Sequence, residues 1–389
     1  MPRLTPLHPR TSEACQTYRF KDWAGFVAVC RYGLSEEREV HVLRHEAGLI
    51  DVSPLCKYEI HGPEAAAMLS RLTVRDMSTL RVGRVAYVCW CDDGGHVLDD
   101  GTCFRLEDAR YRLTSAGPAR HWLERQADGF DVVIEDVSDG LASIALQGPR
   151  SRAVLGRVVP DVEGLKYFRG VEARLGGVSG WVTRTGYTGD LGYELWVPAD
   201  GAVDLWDRLV EAGATPVGLD ALDVVRIEAG LVMRDVDYNG AQDVEVAALR
   251  ATPYEIGLGW MVQLDRDRPF VGQAALRRSE ARRRAFVGLV VDQAAVEALY
   301  ELDGLPLAMP HGAWRDAIPV YGAGSQVGRA TSGTWSSLLK QNVALATVEA
   351  SSAKPGTSLF IEHTVDGRRH TVPATVTALP FYAPEHRKA

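Results

Sequence analysis

A chain of 389 residues exceeds the size at which one hydrophobic core stops growing, so two or three folding units are expected. Its 46% apolar and 24% charged residues are ordinary for a globular protein, and no stretch approaches the roughly 18 to 20 apolar residues that cross a bilayer. A net charge of −8 argues against a passive polyanion binder, since nucleic-acid backbones need a concentrated cationic surface; neither nucleic acid nor membrane is an expected partner.

The N-terminal "MPRLTPLHPR" lacks the apolar core of a signal peptide, so a cytoplasmic location is expected. The six cysteines, at 15, 30, 56, 89, 91 and 103, lie mostly in strand-like apolar surroundings that suit reduced thiols. Cys89, Cys91, His96 and Cys103 could be drawn as a metal site. However, the C-x-C of "YVCWC" lacks the C-x₂₋₄-C knuckle of structural zinc and reads as sending its two thiols to opposite faces, so no metal is expected.

In chain order, "YEIHG" reads as a strand and "PEAAAMLSRL" at Pro63–Leu72 as a helix with Pro near its first position. Strand signals follow in "VAYVCW", "TCFRL", "YRLTSA", "ASIALQG", "GWVTRTG" and "GYELWV". "DGAVDLWDRLVEAG" at Asp200–Gly213 carries an Asp cap, an apolar stripe and a closing Gly, and "GLDALDVVRIEAGL" begins a further amphipathic helix. The basic run "RRSEARRR" at Arg277–Arg284 reads as a solvated helix face or a linker. Beyond it helix signals nearly vanish, and strands joined by Gly-rich or Asp-Gly turns predict a small β-barrel-like domain. The fold class is α+β, with a boundary near residue 282 separating residues 1–282 from 283–389.

Three stretches could carry chemistry. "RTGYTGDLGYE" at Arg184–Glu194 could be a polar β-turn or could wrap a ligand, because its glycines allow close backbone approach. In "CDDGGHVLDDGTCFRL", Asp92–Gly95 form a hairpin turn and Asp99 and Asp100 follow on the returning strand. Buried carboxylates lose hydration, so such a pair either borders a cavity or sits at a solvated edge, and only one of the two can face inward. Arg226 and Glu228 in "VRIEAGL" could form a structural ion-pair network. Gly322-Ala323-Gly324 lacks the strand–turn–helix context of a dinucleotide site.

Together these stretches resemble the aminomethyltransferase family typified by the glycine cleavage T-protein, which includes tetrahydrofolate-dependent demethylases. "DVSPLCKYEIHGPEA" resembles the family's DVSHM…GP segment, "GGHVLDDGTCFRL" its GG-(I/V)-IDD strand, and "RTGYTGDLGYE" its RTGYTGE-x-G-(F/Y)-E signature. "VRIEAGL" resembles LRLEAGL, and "GRATSGTWSSLLKQNVALATVEASSAKPGTSL" the C-terminal VTSGTFSP…KPG segment. The resemblance spans roughly residues 20 to 385.

It implies a three-part ring: two α+β subdomains around a folate channel, plus the C-terminal barrel. It further implies tetrahydrofolate as co-substrate, Asp100 as the catalytic acid, and Tyr87, Asp100, Ser115, Tyr187, Glu194 and Arg226 as folate-binding residues. The chain departs from the family at Leu222, where T-proteins carry an arginine; at Ser115, which replaces an amide; and at Gly101–Cys103, expected to open space beside the acid. These departures favour a demethylase that moves a methyl group from a small O-, N- or S-methyl donor to tetrahydrofolate. Tyr32, Tyr58, Trp90, Trp260 and Arg315 are candidate donor contacts. The alternatives are aminomethyl transfer in glycine cleavage, with a lipoyl carrier protein as partner, and a non-catalytic folate-binding helper.

Overall fold

A computed structural model describes residues 1–162, 164–278, 283–309 and 312–388. The expected boundary near residue 282 falls outside the described residues, as does part of the basic run. The fold is α+β, with a small three-stranded sheet (Arg3–Leu4, Phe26–Arg31, Arg19–Trp23), two larger open sheets and a closed six-stranded barrel. The two larger sheets and the barrel each have their own apolar core.

The first larger sheet has five strands in the order Val85–Cys91, Val97–Glu107, Arg110–Ser115, Cys56–His61, Val133–Asp136. Its alternating side chains send Tyr58, Ile60, Val88 and Leu113 into one core with helix Ala65–Leu72, whose Met68, Leu69 and Leu72 recur at helical spacing. The second sheet has six strands, ordered Gly170–Leu175, Val178–Thr183, Gly192–Pro198, Leu141–Gln147, Gly48–Asp51, Thr215–Pro216. Helices Ser151–Val158 and Ala202–Glu211 supply Leu155, Leu205 and Leu209 to its core. The latter helix opens on a 3₁₀ turn, Ala199–Gly201, without a side-chain cap, so the expected Asp200 cap is replaced by a tightened first turn.

The barrel runs Arg284–Val291, Gln341–Glu349, Ser325–Ser336, Ile318–Gly322, Ser358–Val365, Arg368–Thr377 and closes on its first strand. Closure leaves no unpaired edge. It also contains a helix, Gln293–Leu302, against the expectation that helices stop here; Asp292 caps it by accepting from the Ala295 N–H at 3.2 Å.

Helix Leu219–Glu228 joins the three parts. Every residue from Ala221 to Glu228 is buried, and its charges find partners on each side. Glu228 accepts from Arg44 Nε at 2.8 Å and from the barrel's Ser336 hydroxyl at 2.6 Å. Arg226 Nε donates to Asp223 at 2.8 Å and its Nη1 to Asp237, which also accepts from the barrel's Thr331 and Ser332.

Candidate functional site

Between the three parts lies a cavity of about 1830 Å³, with walls from both larger sheets, helix Leu219–Glu228 and the barrel domain. Ligand pockets commonly span ~300–1,000 Å³, so a folate-sized molecule and a second reactant both have room.

Asp100 lies on the strand Val97–Glu107, opposite Cys89 on the neighbouring strand, and borders the cavity. One carboxylate oxygen accepts from the Tyr87 hydroxyl at 2.6 Å and the other from the Tyr238 hydroxyl. Strand alternation sends Asp99 the other way, where it is 4% exposed and accepts from the backbone N–H groups of Gly117 at 3.0 Å and Asp100 at 2.8 Å. Burial and the neighbouring Asp100 push the Asp99 carboxyl up to about 7. Burial also raises Asp100, opposed by the two tyrosine donors, which favour its ionised form.

The loop Arg184–Leu191 joins Val178–Thr183 to Gly192–Pro198 and wraps the Gln147 amide. Gln147 Nε2 donates to the carbonyls of Thr185 at 3.2 Å and Tyr193 at 3.1 Å, while its oxygen accepts from Thr188 at 3.0 Å. A Cβ at Gly186 would lie 2.0 Å from that oxygen, so glycine is required for the wrap. Tyr187 borders the cavity with its hydroxyl donating to the Val232 carbonyl. Glu194 also borders it; Oε2 accepts from the Thr185 hydroxyl, whereas Oε1 has no hydrogen-bond partner among the described residues. Burial raises the Glu194 carboxyl. A carboxylate oxygen left open in a cavity wall suits paired N–H donors such as those of an aminopyrimidine ring.

Other expected residues sit differently. Arg226 is fully buried and forms no part of the cavity wall, because Asp223 and Asp237 hold its guanidinium inside the inter-part cluster. Ser115 borders the cavity, but its hydroxyl donates to the Gly117 carbonyl at 2.7 Å and so offers no free donor. Gly101 and Thr102 both border the cavity beside the acid, while Cys103 points into the core; a Cβ at Gly101 would lie 1.8 Å from the Thr114 carbonyl oxygen of the adjacent strand. Cys89 and Cys91 share one apolar cluster, since residues two apart on a strand face the same side, contrary to the opposite-face expectation. Among the donor candidates, Trp260 and Arg315 border the cavity, while Tyr32, Tyr58 and Trp90 are packed in cores. Leu222 borders the cavity, and beside it Asp223 accepts from Arg315 Nε.

Sequence reasoning missed Tyr238, whose "VDYNG" context reads as a turn although the residue is 2% exposed and bonds Asp100. It also missed Arg234, 3.9 Å from Asp99, and Asp237 in the inter-part cluster. Their signals lay in the run of acids and arginines after the helix, but partners distant in sequence define their roles.

The family described as the GCVT N-terminal domain matches residues 16–266, and the glycine cleavage T-protein C-terminal barrel domain matches 301–383. An aminomethyltransferase of Streptomyces coelicolor is 35% identical over 376 residues, covering 93% of each chain. A trimethylamine-oxide aldolase of Ruegeria pomeroyi is 34% identical over 405 residues, covering 99% of this chain but 48% of that one. The crystal structure of glycine cleavage system aminomethyltransferase T from Bartonella henselae superposes with a TM-score of 0.83 at 26% identity, covering 98% of this chain and 99% of that one. The chain belongs to the aminomethyltransferase (T-protein) family of tetrahydrofolate-dependent enzymes.

Proposed function

We propose that this protein transfers a one-carbon unit to tetrahydrofolate in the central cavity, and that the unit is an aminomethyl group delivered on the lipoyl arm of a carrier protein. The observation that carries the reading is Asp100, a cavity-wall carboxylate fixed by two tyrosine hydroxyls, in the same cavity as the open Oε1 of Glu194. The full-length aminomethyltransferase relatives favour this donor over the methyl donor that the departures from the family pattern first suggested.

In the proposed site Glu194 accepts from the pterin N–H groups and the Tyr187 ring forms a wall. Asp100 stabilises positive charge on the migrating carbon and takes up protons from the folate nitrogens, a role for which its preorganised tyrosine partners suit it. The donor's C–N and C–S bonds break and two C–N bonds form to N5 and N10. Those nitrogens give up two protons, which leave with ammonia and the freed thiol.

The test is incubation with tetrahydrofolate and an aminomethylated lipoyl carrier protein, measuring ammonia and 5,10-methylenetetrahydrofolate. Stoichiometric release of both is expected. Formation of 5-methyltetrahydrofolate from a small methylated compound, without ammonia from the carrier, would instead establish the demethylase reading. One observation favours that second reading: Leu222 gives an apolar wall where T-proteins have a guanidinium. Absence of folate binding would reject both.

A further inference from the structure

Arg75 follows helix Ala65–Leu72 and reaches the cavity beside the strand that carries Tyr87. Its Nη1 donates to the Tyr87 carbonyl at 3.0 Å, and its guanidinium carbon lies 5.8 Å from the ring centroid of Trp260. Nε and Nη2 have no partner among the described residues and are not sealed in protein. The neighbouring carboxylates are engaged elsewhere: Asp76 accepts from Ser70 at 2.9 Å and from the Ser78 hydroxyl at 2.6 Å, and Asp100 holds its two tyrosines. Thus a half-buried arginine borders the cavity without an ion pair, although removing a guanidinium from water is costly unless an anion completes its shell. Burial accordingly disfavours its charged form.

Trp260 shows the complementary anomaly. It is 66% exposed at the cavity's edge, with its ring centroid 6.4 Å from that of Tyr87. Tyr87 therefore links the pair to the acid: its carbonyl holds Arg75 and its hydroxyl holds Asp100. A planar fork with two open donors beside an exposed aromatic face matches a carboxylate carried a few bonds from an aromatic ring or on a small methylated amine.

We propose that Arg75 and Trp260 form a carboxylate-binding subsite, one tyrosine away from Asp100, which orients a reactant in the cavity. The proposal rests on the one-carbon-transfer reading for what the carboxylate belongs to. It is carried either by the benzoylglutamate end of the folate or by a free one-carbon donor.

Calorimetric titration of the full chain distinguishes these sources with two matched pairs: 4-aminobenzoylglutamate against its diamide, and dimethylglycine against its amide. The wild type should prefer the carboxylate of at least one pair by about tenfold, and Arg75→Gln should abolish the preference. Arg75→Lys should retain part of it, and added salt should weaken only the carboxylate member. A preference in the first pair assigns the subsite to folate, in the second to the donor. No preference in either pair, or one that persists in folded Arg75→Gln, would overturn the proposal. Tetrahydrofolate binding to the wild type, measured alongside, reports separately on the folate reading.

Discussion

Two charged regions of this protein come from equally recognisable motifs and behave in opposite ways. The cluster on helix Leu219–Glu228 is closed: Arg44, Asp223, Arg226, Glu228 and Asp237 are buried and bonded to one another and to the barrel. The cavity wall is open: Glu194 keeps one oxygen without a partner, and Asp100 borders the cavity on two tyrosine hydroxyls. Motif membership does not separate the two regions; the partners do: the cluster's carboxylates are paired with buried arginines, whereas among the described residues those of Asp100 and Glu194 accept only from hydroxyl groups and line the cavity. The closed cluster fixes where the walls stand, and the open wall is where the proposed reaction puts its reactants.

The contrast breaks most sharply at Arg226. Arg226→Met leaves Asp237 buried without its cation and Asp223 with Arg315 alone, a change that costs about 3–5 kcal/mol. The unfolding midpoint in urea should fall accordingly, whereas a purely ligand-binding arginine would leave it unchanged. Glu194→Gln should do the reverse. It removes a buried charge paired only with Thr185, so stability holds or rises while tetrahydrofolate affinity drops by about 1.5–3 kcal/mol, as measured by titration.

A smaller effect is expected at Tyr238. Tyr238→Phe removes one donor to Asp100 and should lower kcat by roughly tenfold, about 1.4 kcal/mol, while shifting the acid limb of the rate profile to higher pH. An unmoved pH profile would mean that Tyr238 only packs. A pH-dependent effect concerns Asp99. Its folded-state value of about 7 lies above the ordinary ~3.9, so its contribution to stability is fully present below about pH 4 and is lost as pH rises through about 7. Asp99→Asn should flatten the pH dependence of stability across that window.

Much of this fold was legible in the chain. Strand patterns marked seven strands of the two larger sheets but not Gly48–Asp51, Val133–Asp136, Gly170–Leu175 or Thr215–Pro216, and the Asp92–Gly95 turn lies where the residues put it, with Gly95 at φ +76°. Among the described residues, five helices were not read: His8–Ala14, Glu36–His45, Arg120–Ala127, Ser151–Val158 and Gln293–Leu302. "SEEREVHVLRH" holds Glu36–His45, and "DQAAVEALYEL" holds Gln293–Leu302 behind an Asp cap; both carried helical signals that the surrounding strand patterns obscured. At the site, residues whose roles depend on strand facing were readable, which is why Asp100 stands apart from Asp99. Arg226 and Ser115 were not, since their partners Asp237 and Gly117 are determined by loop geometry that no local pattern encodes. Tyr238 was hidden for the same reason, reaching Asp100 across 138 residues of chain.

In the proposed reaction Asp100 performs chemistry in a cavity whose scaffold does not depend on it. The most direct measurement is kcat for ammonia release and tetrahydrofolate affinity, determined together for wild type and Asp100→Asn. The account predicts that turnover falls by about 10²–10³-fold with affinity within threefold of wild type and an unchanged unfolding midpoint. Undiminished turnover in the folded variant would contradict it.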